Sequence, residues 1–256
     1  MNLFQIIIIL IIPSMLSSQK YELEWSEEFN GSQLNTEIWN FEKGLAKNNE
    51  EQFYTGRTKN ARIENGNLIL EAHKEDYDNA DYTSARINTL NKKQFRYGRI
   101  EVRAKLPEGH GTWPAIWMLG INHHTDGFPA CGEMDIMEHV GKTPGEVNGT
   151  IHYPETDNVK MNSASGNFKL PPSEDGFYTY SIEWNSAQIT FFVDDKKYHQ
   201  FEVDDANRRG RKNIFRKPFY LVLNLALGGK WAGEIDDTIF PARFYVDYVR
   251  YYQLKK

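Results

Sequence analysis

The stretch "YGRIEVRAKL", Tyr97–Leu106, decides the fold because its side chains alternate strictly between apolar and charged. Successive side chains of a β-strand point to opposite faces, so strict alternation indicates a strand with one face in a core and the other toward solvent. The apolar positions are Ile100, Val102, Ala104 and Leu106. The chain therefore has at least one half-buried strand near its middle.

Similar segments flank this strand on both sides. They are rich in β-branched and aromatic residues, and short Asn- and Asp-containing turns at 185–187 and 194–196 separate some of them. The segment "PFYLVLNLALGG" (218–229) is apolar at nearly every position, which is typical of a strand buried on both faces. No long segment keeps a 3.6-residue apolar period. These patterns predict an all-β domain of two packed antiparallel sheets.

Composition limits the possible partners. The chain has 256 residues and a formal net charge of -5, which suits one large β domain. We do not expect a nucleic-acid partner, because proteins that bind nucleic acids usually present a basic face. The most basic run, 208–212, is interpreted as a solvated loop.

The N-terminus is predicted to be a targeting segment. Residues 6–12 form a nearly unbroken apolar run that is too short to span a membrane, and small residues follow it. We expect residues 1–18 to be a signal peptide and residues 19–256 to form the mature domain, secreted and free of the membrane after cleavage. A retained anchor is the alternative. The single cysteine, Cys131, excludes an intrachain disulfide and is expected to be buried.

The stretch "GEMDIMEHVG" (132–141) places three acids in an otherwise apolar strand. In a regular strand Glu133 and Asp135 share a face, and Glu138 points the other way. A helix would instead separate Glu133 from the other two acids. One extra residue in the strand, a β-bulge formed by Ile136 or Met137, would bring all three carboxylates to one face.

Three carboxylates on one face favour catalysis. Burying a carboxylate is costly unless it is paired, and the motif contains no Lys or Arg. Neighbouring like charges raise the pKa of one member of such a set, which is what a general acid needs near neutral pH. On the pattern alone, a solvated acidic face and a calcium cage remain alternatives.

The acidic motif and several other segments together resemble glycoside hydrolase family 16, most closely its laminarinase-like endo-1,3-β-glucanases. The segments occur in the family's order and cover nearly the whole mature chain. They are "WSEEFNG" (25–31), "NNEEQFYT" (48–55), "NGNLILEA" (65–72), "YTSARI" (82–87), "YGRIEVRAKLPEGHGTWPAIWMLG" (97–120), "GEMDIMEHVG", "NGTIHY" (148–153), "LNLALGGKWAG" (223–233) and "FYVDYVRYYQ" (244–253).

The resemblance implies a jelly-roll sandwich of the concanavalin A-like lectin/glucanase type with a concave substrate cleft. It also implies retaining hydrolysis of β-1,3-glucan without a catalytic cofactor. By the same resemblance, Glu133 matches the nucleophile, Glu138 matches the general acid/base, and Asp135 matches the residue that orients the nucleophile.

Other positions match sugar-binding and metal-binding residues of the family. The substrate-binding set is Asn48, Arg86, Trp113, Trp117, His152 and Trp231. Core packing is the alternative for the two tryptophans of "WPAIW", and a structural role is the alternative for Asn48, Arg86 and His152. A structural calcium would be held by Glu28, the carbonyl of Gly66, and Asp247. Trp25, Trp39 and Trp184 are expected in the core, and His123–His124 in an exposed loop.

Three functions remain open on the sequence. The first is a secreted, monomeric endo-1,3-β-glucanase whose partner is the polysaccharide substrate. The second is a hydrolase of the same family acting on mixed-linkage glucan or a sulfated galactan. The third is a non-catalytic glucan-binding module, which would have no reason to keep both Glu133 and Glu138.

Overall fold

The computed structural model describes residues 21–45, 48–155 and 160–255. The predicted signal peptide, residues 1–18, lies outside the described residues. Across those ranges, no helix is long and apolar enough to cross a membrane.

Strands dominate the described chain. They are β1 (Tyr21–Glu27), β2 (Asn40–Glu42), β3 (Gly44–Leu45), β4 (Gln52–Tyr54), β5 (Ala61–Glu64), β6 (Asn67–Tyr77), β7 (Ala80–Ser84), β8 (Arg86–Asn88), β9 (Gly98–Lys105), β10 (Thr112–Gly120), β11 (Glu133–His139), β12 (Glu146–Pro154), β13 (Met161–Lys169), β14 (Phe177–Trp184), β15 (Gln188–Val193), β16 (Lys196–Glu202), β17 (Phe219–Leu227) and β18 (Ala242–Leu254). The helices are the one-turn α1 (His123–Asp126) and α2 (Gly229–Ala232), with 3₁₀ turns at Val203–Ala206, Ile214–Arg216 and Asp237–Ile239.

The strands form two sheets. Within the described ranges, the larger sheet has the order β16-β15-β14-β9-β18-β6-β7-β4-β3, and β1 and β5 add to β18 and β6. The smaller sheet has the order β13-β12-β11-β10-β17-β8-β2. The predicted all-β jelly-roll sandwich is confirmed, with one local difference, because β4 and β7 pair in parallel rather than antiparallel.

A continuous apolar core fills the space between the sheets. Ile100 and Val102 of β9 belong to the same buried cluster as Ile116 and Met134 of the smaller sheet. β17 is buried along its whole length, as its sequence predicted. A second, small cluster of Leu119, Cys131, Tyr220 and Val222 packs under Trp117. The strand pairings place Leu119, Val222 and Trp117 on the same face as the acids of β11, so this cluster underlies the face of the smaller sheet that points away from the main core.

Candidate active site

A β-bulge in β11 brings the three acids to one face. Against β12, Asp135 pairs with Thr150 and Glu138 pairs with Asn148, so three steps on β11 match two on β12. Against β10, Met137 pairs with Ile116 and Asp135 with Trp117, which leaves Ile136 as the extra residue. The predicted bulge is therefore confirmed.

Tyr198 of β16 supports this bulge from the core side. Its hydroxyl donates to the Ile136 carbonyl at 3.4 Å, a group that the irregular ladder leaves available. The ring can approach because residue 149 on β12 is glycine, and a Cβ there would lie 2.3 Å from the Tyr198 hydroxyl oxygen. Ile136 and Met137 are both fully buried in the core, which fixes the acids on the opposite face.

The strand pairings place one residue of β10 and one polar residue of β12 beside each acid. Glu133 lies between Leu119 and His152, and Glu138 lies between Ala115 and Asn148. Asp135 lies between Trp117 and Thr150. The acids therefore form the centre of a continuous surface that runs across the smaller sheet.

The cluster shifts the acids toward their protonated forms. Burial, followed by repulsion from Asp135, raises the pKa of Glu138 to about 8, against a lowering influence of a hydrogen bond from Trp113. Burial likewise raises the pKa of Asp135 to about 8. Burial and the charges of Asp135 and Glu138 raise the pKa of Glu133 well above its usual value. These shifts suit proton transfer near neutral pH.

His152 reaches into the acidic cluster from β12. Its Nε2 lies 3.2 Å from Asp135 Oδ2 and 4.0 Å from Glu133 Oε1. Its Nδ1 lies 2.7 Å from Ser163 Oγ on β13, which fixes the plane of the ring. The exposed ring of Phe128 stands edge-on to His152, with 6.3 Å between the ring centroids.

Two tryptophans define a cavity beside Glu138. The Trp113 indole nitrogen donates to Glu138 Oε1 at 3.1 Å. The Trp113 ring meets Trp231 edge-on at 5.1 Å between centroids. Asn48, Asn49 and Lys230 join these rings around a cavity of about 340 Å³. Three of the predicted substrate-binding residues, Asn48, Trp113 and Trp231, are thus brought together next to the acid.

Trp117 and Arg86 extend the surface on the other side. Trp117 is half-buried, and its indole nitrogen donates to Asn224 Oδ1 at 2.7 Å. The Arg86 guanidinium lies 4.7 Å above the Trp117 ring and pairs with Glu42 at 3.1 Å. All six predicted substrate-binding residues are therefore placed around the acids, and their roles in binding stay predictions.

The sequence did not predict the polar network that begins at the hydrogen bond between Trp117 and Asn224. Asn224 donates to the Tyr54 hydroxyl at 3.2 Å, and that hydroxyl donates to Glu50 at 3.2 Å. Gln52 also donates to Glu50, at 2.9 Å, and Glu50 in turn adds to the negative potential at Glu138. A buried Asn in an otherwise apolar β17 was the one available signal, because an unpaired buried amide is costly.

The remaining sequence predictions have mixed outcomes. Trp39 and Trp184 are fully buried as expected, whereas Trp25 is half-buried and packs at the margin of the core. Cys131 is buried, and burial raises the pKa of its thiol to about 12. Histidines 123 and 124 were expected in an exposed loop; they lie instead in the one-turn helix α1, where His123 is half-buried and His124 is exposed.

Arginines hold two of the three predicted calcium ligands, the carboxylates, in this structure. Glu28 accepts two hydrogen bonds from Arg250, each 2.9 Å long. Asp247 accepts from Arg103 at 2.7 Å. The arrangement described is thus one of separate ion pairs and does not itself form an oxygen shell for calcium.

The fold and the site together define a class of protein. A β-sandwich carries a bulged strand with three carboxylates whose pKa values are raised, and aromatic rings and amides surround them. This is the arrangement of a carbohydrate-cleaving enzyme that works with two carboxyl groups.

Comparison with known proteins identifies the family. The model of glycosyl hydrolases family 16 matches residues 48–250. A β-glucanase of Rhodothermus marinus is 42% identical over 96% of this chain and 92% of its own. The X-ray structure of the laminarinase from Rhodothermus marinus has a TM-score of 0.84 and 39% identity, covering 93% of this chain and 99% of that one.

A further solved structure shows that similarity extends to another activity. It is described with endo-acting O-glycanases of the human gut microbiota that initiate mucin breakdown, and it has a TM-score of 0.86 and 38% identity over 95% of this chain and 94% of that one. The chain belongs to glycoside hydrolase family 16. It is therefore a glycoside hydrolase, and hydrolases of this family need no catalytic cofactor.

Proposed function

We propose that this protein is a secreted endo-1,3-β-glucanase that hydrolyses laminarin-type glucan with retention of anomeric configuration. The observation that carries the proposal is the bulge at Ile136, which places Glu133, Asp135 and Glu138 on one face of β11. The similarity to a β-glucanase and a laminarinase supports the choice of substrate.

The proposed reaction is a double displacement. Glu133 attacks the anomeric carbon while Glu138 protonates the departing glycosidic oxygen, which gives a covalent glycosyl-enzyme. Glu138, now ionised, removes a proton from water as the water attacks the same carbon and releases Glu133. Burial, together with the charge of Asp135, keeps the pKa of both glutamates high. Asp135, between them, would orient Glu133.

The local environment suits each role. The raised pKa of about 8 keeps Glu138 protonated at neutral pH, as a general acid requires. Glu133, the proposed nucleophile, must act as an anion. A positive charge on His152, 4.0 Å away, lowers the pKa of Glu133 and so favours the anion. The rings of Trp113 and Trp231 offer apolar faces to sugar rings above the acids.

The catalytic assignment predicts that Glu133→Gln and Glu138→Gln each lower kcat on laminarin by at least about a thousandfold, because each removes a group used in bond cleavage. Glucan binding should stay close to wild type, and each variant should still unfold in one cooperative transition. Glu24→Gln, an exposed position on β1 of the larger sheet, is the matched control and should retain activity. Wild-type turnover in either of the first two variants would contradict the mechanism.

Substrate choice is tested by product profiles on laminarin, lichenan, agarose, carrageenan and mucin O-glycans. The proposal expects short β-1,3-linked oligosaccharides from laminarin, with the β-anomer formed first in NMR spectra. Preferred cleavage of lichenan or of a galactan would assign the second candidate function. Binding of laminarin without cleavage of any substrate would assign a glucan-binding module.

Secretion and a monomeric state are parts of the same proposal. The apolar run and small residues of 1–18 support export with removal of the leader. Expression of the full chain should yield an extracellular or periplasmic product that begins near residue 19, as checked by mass spectrometry of the intact protein. Light scattering of that product should give the mass of one chain.

Calcium binding at Glu28, Gly66 and Asp247 remains a prediction that a melting experiment tests. An ion there must compete with Arg250 and Arg103 for the two carboxylates. A ligand that binds only the folded state raises the melting temperature. A rise with CaCl2 that Asp247→Asn abolishes would support the site, and equal melting in CaCl2 and EDTA would contradict it.

A further inference from the structure

Three side chains of the cleft present metal-ligating atoms to one another. Ligand atoms of Glu133, Asp135 and His152 all lie within 4.8 Å of one another. The set combines one imidazole nitrogen with two carboxylate oxygens. It differs in position and chemistry from the predicted calcium ligands, which are oxygens only.

A second, independent observation indicates that these three side chains lack a ligand, and it comes from Asp135. Its side chain is 5% exposed, and its Oδ2 has no well-aligned hydrogen-bond donor in the described part of the chain. A buried carboxylate oxygen without a donor is energetically costly. His152 Nε2 is 3.2 Å from that oxygen, so the unpaired oxygen lies against the imidazole within the cluster.

Ser163 prepares His152 to act as a ligand. Its hydroxyl oxygen lies 2.7 Å from Nδ1. In the tautomer that donates from Nδ1, Nε2 carries a lone pair directed at the two carboxylates. A second hydrogen-bond partner of this kind orients most metal-binding histidines in proteins and raises their basicity.

The distances fit a small divalent cation. Zinc bonds to His nitrogen and carboxylate oxygen are about 2.0–2.2 Å long, so ligand atoms around a tetrahedral ion lie about 3.4 Å apart. His152 Nε2 is 3.2 Å from Asp135 and 4.0 Å from Glu133. The two carboxylates lie within 4.8 Å of each other, so closing three ligands on one ion requires Glu133, the more exposed of the two acids, to move by up to about 1.4 Å. A fourth position is then left for water.

We infer that the substrate-free cleft binds a Zn²⁺-class cation through Glu133, Asp135 and His152, and that this ion blocks the site. Mixed nitrogen and carboxylate ligands suit zinc, whereas Mg²⁺ and Ca²⁺ prefer oxygen-only shells. The ion would occupy the proposed nucleophile and the acid that supports it. Glucan and zinc should therefore exclude each other.

The decisive measurement is zinc binding to the metal-free, substrate-free protein, which does not depend on hydrolysis. Calorimetric titration with ZnCl2 should give one ion per chain, and titration with MgCl2 should give no heat of binding. His152→Gln removes a ligand and should weaken zinc binding more than tenfold. Ser163→Ala keeps all three ligands and should weaken it about tenfold, because only the supporting contact is lost.

The matched control separates this site from the histidine pair of α1. His124→Gln should bind zinc like wild type. Zinc binding that disappears in His124→Gln but survives in His152→Gln would overturn the inference, as would the absence of zinc binding to wild type. Laminarin oligosaccharides should raise the apparent Kd for zinc, and equal affinity at saturating oligosaccharide would contradict mutual exclusion.

The activity assay then tests the block itself. ZnCl2 should inhibit laminarin hydrolysis in wild type and His124→Gln, and EDTA should restore it fully. If the protein binds zinc as described but hydrolyses another polysaccharide, the metal site stands and only the proposed substrate fails. If zinc binds but does not inhibit hydrolysis, the inference that the ion blocks the cleft is wrong.

Discussion

At the residue scale, Glu138 receives opposite influences from its neighbours. The hydrogen bond from Trp113 lowers its pKa by stabilising the ionised carboxylate, whereas the charges of Asp135 and Glu50 raise it. The protonated form is the acid that the first step needs, and the ionised form is the base of the second step. The balance among these neighbours therefore sets the pH range of activity.

This balance predicts shifts of opposite sign in two variants. Trp113→Phe keeps a ring but removes the donor, so the pKa of Glu138 should rise and the alkaline limb of kcat/KM should move up by about one pH unit. Glu50→Gln removes a negative charge, so the alkaline limb should move to lower pH. The measurement is kcat/KM against pH for both variants and wild type. Shifts in the same direction would contradict the account.

The neighbours of Glu138 also show how much of the site could be predicted from the sequence. The three acids lie in one motif, so their spacing alone predicted that a bulge must bring Glu138 to the face of Glu133 and Asp135. Glu50 and Asn224 are far apart in sequence, and their hydrogen bonds run through Tyr54. No local spacing reports such a contact, because only the packing of β4 against β17 creates it.

At the element scale, the bulge depends on a contact from the opposite sheet. Gly149 leaves room for Tyr198, whose hydroxyl donates to the carbonyl of Ile136. The sequence indicated that an extra residue was needed, and left Ile136 and Met137 as candidates. The pairing with β10 selected Ile136, because Met137 keeps its partner Ile116.

This contact predicts a coupled loss in Gly149→Ala. The added methyl group would lie 2.3 Å from the Tyr198 hydroxyl oxygen and 2.7 Å from the Phe191 ring, so Tyr198 must move away from the bulge. Overpacking of this kind costs about 1–3 kcal/mol. We expect a lower melting temperature. We also expect kcat to fall by a larger factor than KM changes, because Glu133 and Glu138 lose their common alignment.

A double-mutant cycle checks the cause. Tyr198→Phe removes the oxygen that the methyl group meets, so Gly149→Ala should destabilise the protein less in that background than in wild type. The readouts are melting temperature and denaturant midpoint for the two single variants and the double variant. Strictly additive losses would show that Gly149 does not act through Tyr198.

At the scale of the whole molecule, alternation predicted the sandwich but not its strand order. The pattern of β9 identifies one apolar face, yet β9 pairs with β14 and β18, which follow it by many residues. The parallel pairing of β4 with β7 was likewise beyond prediction, since both strands are short. Strand order depends on which apolar faces close one common core, and that information is distributed over the whole chain.

The acidic cluster also affects the stability of the whole domain. The pKa of Glu138 is raised from the ordinary value of a glutamate to about 8 in the folded protein, so the folded state keeps a proton that the unfolded chain has already released. Stability from this group is present at low pH and is lost as pH rises toward about 8. Asp135 and Glu133 act in the same direction, because burial raises their pKa values too.

Glu138→Gln isolates this effect, because glutamine stays neutral at every pH. Relative to wild type, the variant should gain free energy of unfolding as pH rises from about 4.5 to about 8, and the difference should then level off. The measurement is urea unfolding at intervals across this range, with Glu108→Gln at an exposed loop position as the matched control. A difference between Glu138→Gln and wild type that stays constant over the whole range would show that the folded site does not hold this proton.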